Sequence, residues 1–514
     1  MLVPTSRTNV TTQSPWNLVQ IFHEQRLSYI PVMLLAAGCL YAMFRSIHWP
    51  LLHDALLMHY ISSRILSGAV PYRDLFDMNM PGTYVIHMAV LSAFGKSDIA
   101  WRMFDLLWLT FSAWTIGHFC HSYGRIQAYF AALFYMAVHL SAGPSQMGQR
   151  DFLMCPFLML SAHYMALSLE TTEHRHFLFW AGFFLGLAMT IKPSASFLLG
   201  MFCILYIYLS QHENSMAPIK LIRLFAGACI GPILALTWVL ITGGIYAFWE
   251  MVTHWLPLYG GLERATATAL LLTVWSGLKL ALPACLLSLP LFWFAKPIFN
   301  HPRLLILLLG SSYAALQYII QGKGWPYHLE PFYFFFFTMI TILFSSFTLK
   351  RYRFIRHGIT TVLCFLALPM TINAIVNSRG HDDILLTKKP SVTQLVADLS
   401  AIELNEAETV QVLDSTTGGI HALYRLGLRQ PTRFIYDIQF FTGTDQPYIQ
   451  NLRREFIEAL KALQPAAIVV FHDTWIPPYD ISRFDTFPQF SDFLKNRYQL
   501  ERKREAYSLY IEKA

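Results

Sequence analysis

The polar residues that could do chemistry in this chain fall in five separated stretches. The first holds Asp54, and the second is the turn Arg73-Asp74-Leu-Phe-Asp77. Gln149-Arg150-Asp151 and Lys192-Pro193 follow, and the last runs from Gly322-Lys323 through His328 to Glu330-Pro331. Each sits at the edge of an apolar run, where a charge is expensive unless it is used. Carboxylates together with several cations suit a reaction in which a hydroxyl loses its proton and a phosphate departs as an anion. Asp54 and Asp151 are the candidate catalytic carboxylates. Arg73, Asp74, Arg150, Lys192, Lys323, His328 and Glu330 are candidates for holding substrate.

Taken singly, each residue also has a purely structural reading. Asp54 and Asp151 both open helices and could cap them. Asp74 and Asp77 flank a turn. Arg150, Lys192 and Lys323 could reach toward lipid headgroups, and His328 could simply pack.

The elements that must position these groups are membrane helices. Of 514 residues 55% are hydrophobic and 13% charged, against about 25% charged in a soluble domain. A polytopic membrane protein is therefore expected. The charge of +7 is gathered in connectors and at the chain ends, so it describes topology and not a nucleic-acid surface. The seven cysteines lie in or beside apolar runs without CxxC spacing, which supports neither a disulfide framework nor a zinc site.

Residues 1–28 form a polar N-terminal segment without the signature of a signal peptide. About eleven crossings are predicted, at 29–45, 100–120, 127–142, 152–169, 176–191, 194–210, 222–242, 277–295, 303–320, 331–348 and 357–376. Between the first two, the loop 46–99 carries two short helices. Asp54–Ser67 should lie along the membrane surface with Leu57, Met58, Ile61 and Ile65 inward and His59, Ser62 and Ser63 outward. Pro81–Phe94 spans only about 21 Å and reads as interfacial or re-entrant. Basic residues, including the cluster Lys350, Arg351, Arg353 and Arg356, are denser in the connectors assigned inside. The N-terminus is then cytoplasmic and the C-terminus outside.

From 377 to 514 the composition becomes that of soluble protein. Val410–Leu413, Ala466–Phe471 and Tyr507–Ile511 read as strands and Tyr448–Leu463 as an amphipathic helix, a small extramembrane α/β domain on the outer, periplasmic face. The expected fold is thus mainly α, a membrane module at 29–376 followed by that domain.

Three ordered motifs carry a likeness. Gly68-Ala-Val-Pro71-Tyr72-Arg-Asp74 follows the Asp54 loop and leads to a Pro-initiated helix with Phe94-Gly95-Lys-Ser97 and Ala100-Trp-Arg102 behind it. Gly186-Leu187-Ala188 runs to Lys192-Pro193, and an aromatic Pro-Tyr-His segment spans Pro326 to Pro331. Over Met33 to Pro331 the chain resembles the GT-C glycosyltransferases that use polyprenyl-phosphate-linked sugars, notably family 39, with the protein O-mannosyltransferases and the lipid A aminoarabinose transferase. The resemblance implies inverting transfer from a lipid phosphate to a hydroxyl of a glycolipid, glycan or protein, in a bacterial inner membrane. Asp54 would be the base, Asp151 would orient acceptor or sugar, and Lys192, Arg150 and Lys323 would neutralise phosphate. Many members pair Asp with Glu in the first loop. Asp54 stands between His53 and Ala55, which points to a single carboxylate without a metal or other cofactor and leaves divalent-metal use open.

A transporter or flippase for a lipid-linked or anionic solute is the competing class, and a sensor built on the outer domain is a third. A transporter calls for midplane charges and an internal repeat. The charges here gather at one face, and the sequence has no repeat.

Overall fold

The computed structural model describes residues 15–170, 176–210, 217–283, 285–286, 301–348, 364–365, 367–377, 391–402, 409–415 and 418–513. The basic cluster Lys350 to Arg356, the greater part of the 277–295 crossing and the first part of the 357–376 crossing lie outside these residues.

Helices α1 (Pro15–Arg45), α2 (His53–Leu66), α3 (Pro81–Phe94), α4 (Asp98–Cys120), α5 (Arg125–Ser141) and α6 (Arg150–Glu170) open the chain. Then follow α7 (Phe177–Ile191), α8 (Ser196–Ser210) and α9 (Ala217–Ile241). Short helices α10 (Ile245–Glu250) and α11 (Leu256–Gly261) are joined by a π turn at Met251–Trp255, and α12 is Ala267–Leu278. Two further long helices, α13 (Pro302–Gln321) and α14 (Glu330–Thr348), follow, and the shorter apolar helix Ala367–Asn377 adds Ala367, Met370 and Ala374 to the bundle core.

Among the described residues five helical stretches are long and apolar enough to cross a membrane: Tyr29–His48, Arg150–Glu170, Lys220–Ile241, Pro302–Gln321 and Pro326–Phe344. Shorter apolar helices, α3 and α7 among them, pack around these. The chain is an integral membrane protein.

Two glycine pairs set the distance between α7 and α9. A Cβ at Gly182 would sit 1.9 Å from the Leu224 carbonyl, and one at Gly186 2.4 Å from that of Ala228. From the other side, a Cβ at Gly227 would sit 2.1 Å from the Phe179 carbonyl and one at Gly231 2.7 Å from that of Gly186. Small residues four apart on both helices let the backbones touch, which is how helices associate where lipid removes the hydrophobic drive. Gly82 of α3 closes on Thr190 in the same way, so α3 is held near the end of α7.

The C-terminal region holds a four-stranded sheet of β1 (Val410–Leu413), β2 (Ala467–Phe471), β3 (Tyr498–Lys503) and β4 (Tyr507–Glu512), in the order β1-β2-β4-β3. The β1–β2 pair is parallel, with Val410 opposite Ala467, and the other two are antiparallel. β2 reads Ala-Ile-Val-Val-Phe and is buried throughout, as a central strand with both faces covered should be. The amphipathic helix Pro447–Leu463 lies behind it.

The apolar interior is divided in two. One core fills the helix bundle. The other joins the first loop, the α10–α11 segment and the C-terminal sheet, with Tyr60, Phe76, Trp255, Phe434 and Val469 in a single cluster. The surface-lying expectation for α2 is corrected accordingly. His59 and Ser62 are as buried as Leu57 and Ile61, because the helix Gly418–Leu426 of the C-terminal region packs on α2 and its Tyr424 ring meets His59.

Candidate active site

Local sequence places each charged group at the end of a helix. Before α6 the chain turns at Gly148, whose φ of +65° is the left-handed region and whose Cβ would strike Trp101. A glycine is needed there, and its N–H donates to the Asp105 carboxylate at 2.8 Å. Arg150 and Asp151 then occupy the first turn of α6. At the end of α7, Pro193 disfavours a helical conformation for the residue before it, and Lys192 is extended, with φ −139° and ψ 116°. On α2 the N-cap is Leu52, without a side-chain cap bond. Asp54 is therefore not the cap, and its carboxylate is free for other partners.

The helix ends meet in two tiers. In the upper tier Arg150 Nη2 lies 3.3 Å from Asp54 Oδ2, and the Tyr327 hydroxyl donates to the same oxygen at 3.5 Å. The Asp54 side chain keeps 32% of its surface exposed, so a substrate can reach it. In the lower tier Lys192 Nζ donates to Asp151 Oδ2 at 2.6 Å and to Gln321 Oε1 at 2.8 Å. Gln317 Nε2 donates to Asp151 Oδ1 at 2.7 Å, and its own oxygen accepts from Ser194 at 3.0 Å. With 1% of its side chain exposed and both oxygens bonded, Asp151 is not placed to take a substrate proton. What it does is hold the Lys192 ammonium.

Buried polar atoms are rarely left unpaired. Three lack a partner here among the described residues: Arg150 Nε, Gln321 Nε2 and His328 Nδ1. Two of these are donors in any state, and together with Lys192 they make the cleft a place for an anion.

The remaining candidates are placed differently. Arg73 and Asp74 bond to each other at 2.8 Å, and Asp74 also accepts the Val70 N–H at 2.8 Å. The Arg73 guanidinium holds the Asp74 carboxyl below the usual range. These contacts fix the turn and reach none of the two-tier groups. Lys323 donates to the carbonyls of Tyr259, at 3.0 Å, and Leu262, and lies over the Tyr259 ring. Burial pulls its pKa down to about 8, with Arg264 adding to the effect. Through these bonds it clamps the end of α11. Glu330 accepts from the Tyr135 hydroxyl at 2.7 Å and bonds His139 at 2.8 Å, a buried network inside the bundle. His328 is buried behind Trp325 and Tyr327.

Tyr327, Gln317, Gln321 and Tyr259 complete the site and were not among the candidates. Tyr327 lies inside the Pro-Tyr-His motif and could have been singled out there. The two glutamines, four residues apart near the end of an apolar helix, are a signal of the same kind as a charge at such an end. Tyr259 carries no sequence signal. Among the described residues no group of three His, Cys, Asp or Glu side chains is arranged to hold a metal ion. A divalent cation at Asp54 would meet one carboxylate and the Arg150 guanidinium beside it, a donor set that does not fit.

Residues 80–241 match the family model for dolichyl-phosphate-mannose-protein mannosyltransferases. Two solved structures of ArnT from Cupriavidus metallidurans are similar along nearly the whole chain. The apo form has a TM-score of 0.66 at 12% identity, covering 93% of this chain and 97% of ArnT. The form bound to undecaprenyl phosphate has a TM-score of 0.64 at 14% identity, covering 94% and 98%. No curated protein sequence matches. The fold is that of the GT-C glycosyltransferases, set in a membrane.

Proposed function

We propose that this protein transfers a sugar from a polyprenyl-phosphate donor to an acceptor hydroxyl at the non-cytoplasmic face, with the N-terminus inside and the C-terminal region, from about residue 377, outside. The observation that carries the reading is the reachable Asp54 carboxylate, bonded by Arg150 and Tyr327 near a cation pinned by Asp151. Asp54 takes the proton of the acceptor hydroxyl while its oxygen attacks the anomeric carbon. The bond from that carbon to the phosphate oxygen breaks, and the lipid phosphate leaves with the electron pair. Arg150 and Lys192, with 16% and 10% of their side chains exposed, meet its charge as fixed cations. The step uses no cofactor. ArnT, whose fold this chain shares, binds undecaprenyl phosphate, which favours a carrier of that chemical class. The acceptor is a glycolipid, a glycan or a protein bearing a free hydroxyl.

Asp54→Asn keeps the shape and removes the base. Transfer from a polyprenyl-phosphate sugar in membranes should fall by about 100-fold or more, with the amount of inserted protein unchanged. Turnover within a few-fold of the native rate would remove Asp54 from this role.

A further inference from the structure

Around the Asp54–Arg150 pair stands a wall of aromatic rings that the transfer step does not use. Its outermost member, Trp475, belongs to the loop after β2, in the C-terminal region. The Trp475 ring lies 5.9 Å from Trp325 and 6.4 Å from Tyr259, nearly perpendicular to both, at 77° and 79°. Trp325 in turn lies 5.6 Å from Tyr327, the residue bonded to Asp54. All four rings are half-buried, whereas the core tryptophans Trp101 and Trp255 are fully enclosed. The wall is held from behind. Lys323 bonds the Tyr259 and Leu262 carbonyls and lies 4.7 Å from the centre of the Tyr259 ring, and the Tyr479 hydroxyl donates to Glu263 at 3.0 Å.

Partly exposed aromatic rings beside a reactive carboxylate offer apolar surface for a ligand to lie against. A pyranose offers such a surface: its C–H face is apolar, while its rim of hydroxyls is polar. We propose that Trp475, Trp325 and Tyr259 form the sugar-ring subsite of this enzyme, with Trp475 supplied by the C-terminal region. The inference rests on the transferase reading and adds a sugar class and a task for the extramembrane part. The ring seated there is either the donor's sugar or a sugar of the acceptor.

The test uses the full-length protein in lipid nanodiscs with methyl glucopyranoside and methyl mannopyranoside as probes, followed by saturation-transfer NMR. The native protein should give transfer to the C–H protons of the ring. Trp475→Ala should weaken binding about tenfold, the scale of a lost stacking partner. Trp475→Phe should keep most of it, and Trp114→Ala, which removes a more exposed tryptophan of α4 outside this wall, should change nothing. Should Trp475→Ala lower the melting temperature, Trp325→Ala reads the same wall from the membrane part. A short-chain prenyl-phosphate pyranose that displaces the glycoside assigns the subsite to the donor, and simultaneous binding assigns it to the acceptor. No transfer with the native protein, or equal binding by folded Trp475→Ala and Trp325→Ala variants, overturns the proposal. Asp54→Asn leaves glycoside binding in place, so failure of this subsite and failure of the base are read separately.

Discussion

At the scale of single residues, the ion pair below Asp54 separates structure from chemistry. Asp151 and Lys192 meet at 2.6 Å with 1% and 10% of their side chains exposed. Removing one member of such a pair leaves an uncompensated buried charge and costs about 3–5 kcal/mol, whereas replacing both with apolar groups is often neutral. Asp151→Ala should therefore lower the melting temperature and reduce transfer together. The double variant Asp151→Leu, Lys192→Met should recover most of the thermal stability while transfer stays lost, since the ammonium is gone. Recovered transfer in the double variant would make the pair a packing device only. Asp54, Arg150, Asp151 and Lys192 were legible because a charge at the end of an apolar helix stands out by cost alone. Arg73, Asp74, Lys323 and Glu330 stood out for the same reason and are held elsewhere. Cost marks a residue as employed and does not say by what. Partners such as Gln317, which reaches Asp151 across 166 positions, are fixed by tertiary packing that no local pattern records.

At the scale of elements, the position of Lys192 depends on how α7 is seated. The Gly186 backbone is pressed against α9 so closely that a Cβ would meet Ala228 at 2.4 Å. Leucine at position 186 must push the helices apart, and α7 carries Lys192 at its end. Gly186→Leu should lower the melting temperature by several degrees and weaken donor binding more than tenfold, although the residue touches no substrate. Gly200, whose Cβ would meet nothing within 4 Å, supplies the control: Gly200→Ala should be neutral. Equal behaviour of the two variants would show that the close approach is not what seats Lys192. The sequence presented Gly186 as part of a motif without its reason, which lies in Ala228 and Gly231 of the facing helix α9. Strand β3 escaped notice from the opposite cause. Its residues Tyr-Gln-Leu-Glu-Arg-Lys carry exposed charge at a sheet edge, where charges that discourage edge-to-edge pairing erase the alternation by which strands are recognised.

At the scale of the whole molecule, the division in composition near residue 377 is not the division in packing. The second core runs from Tyr60 and Phe76 of the first loop through Trp255 to the C-terminal sheet. Polar contacts cross the same boundary. The Tyr60 hydroxyl accepts the Gln430 N–H at 3.2 Å, the Phe76 N–H donates to the Arg433 carbonyl at 2.7 Å, and Arg433 bonds both Glu250 and Glu455. Domains joined by small polar interfaces move independently, whereas a shared apolar core binds them into one cooperative unit. A chain cut to residues 1–377 would expose the faces of α2 and of the α10–α11 segment that hold Asp54 and Tyr259 in place. The truncated protein should still insert through its membrane helices, since these keep their own core. Its first loop should become open to limited proteolysis between residues 46 and 80, and transfer should be lost. Arg433→Ala, which removes the contacts to Glu250 and Glu455 but leaves the sheet intact, should fall between the two, with a lower melting temperature and partial activity. A truncated chain that resists protease in the first loop and transfers at the native rate would mean that the loop carrying Asp54 is held by the bundle alone. The C-terminal region would then be an appendage to the site, not one of its walls.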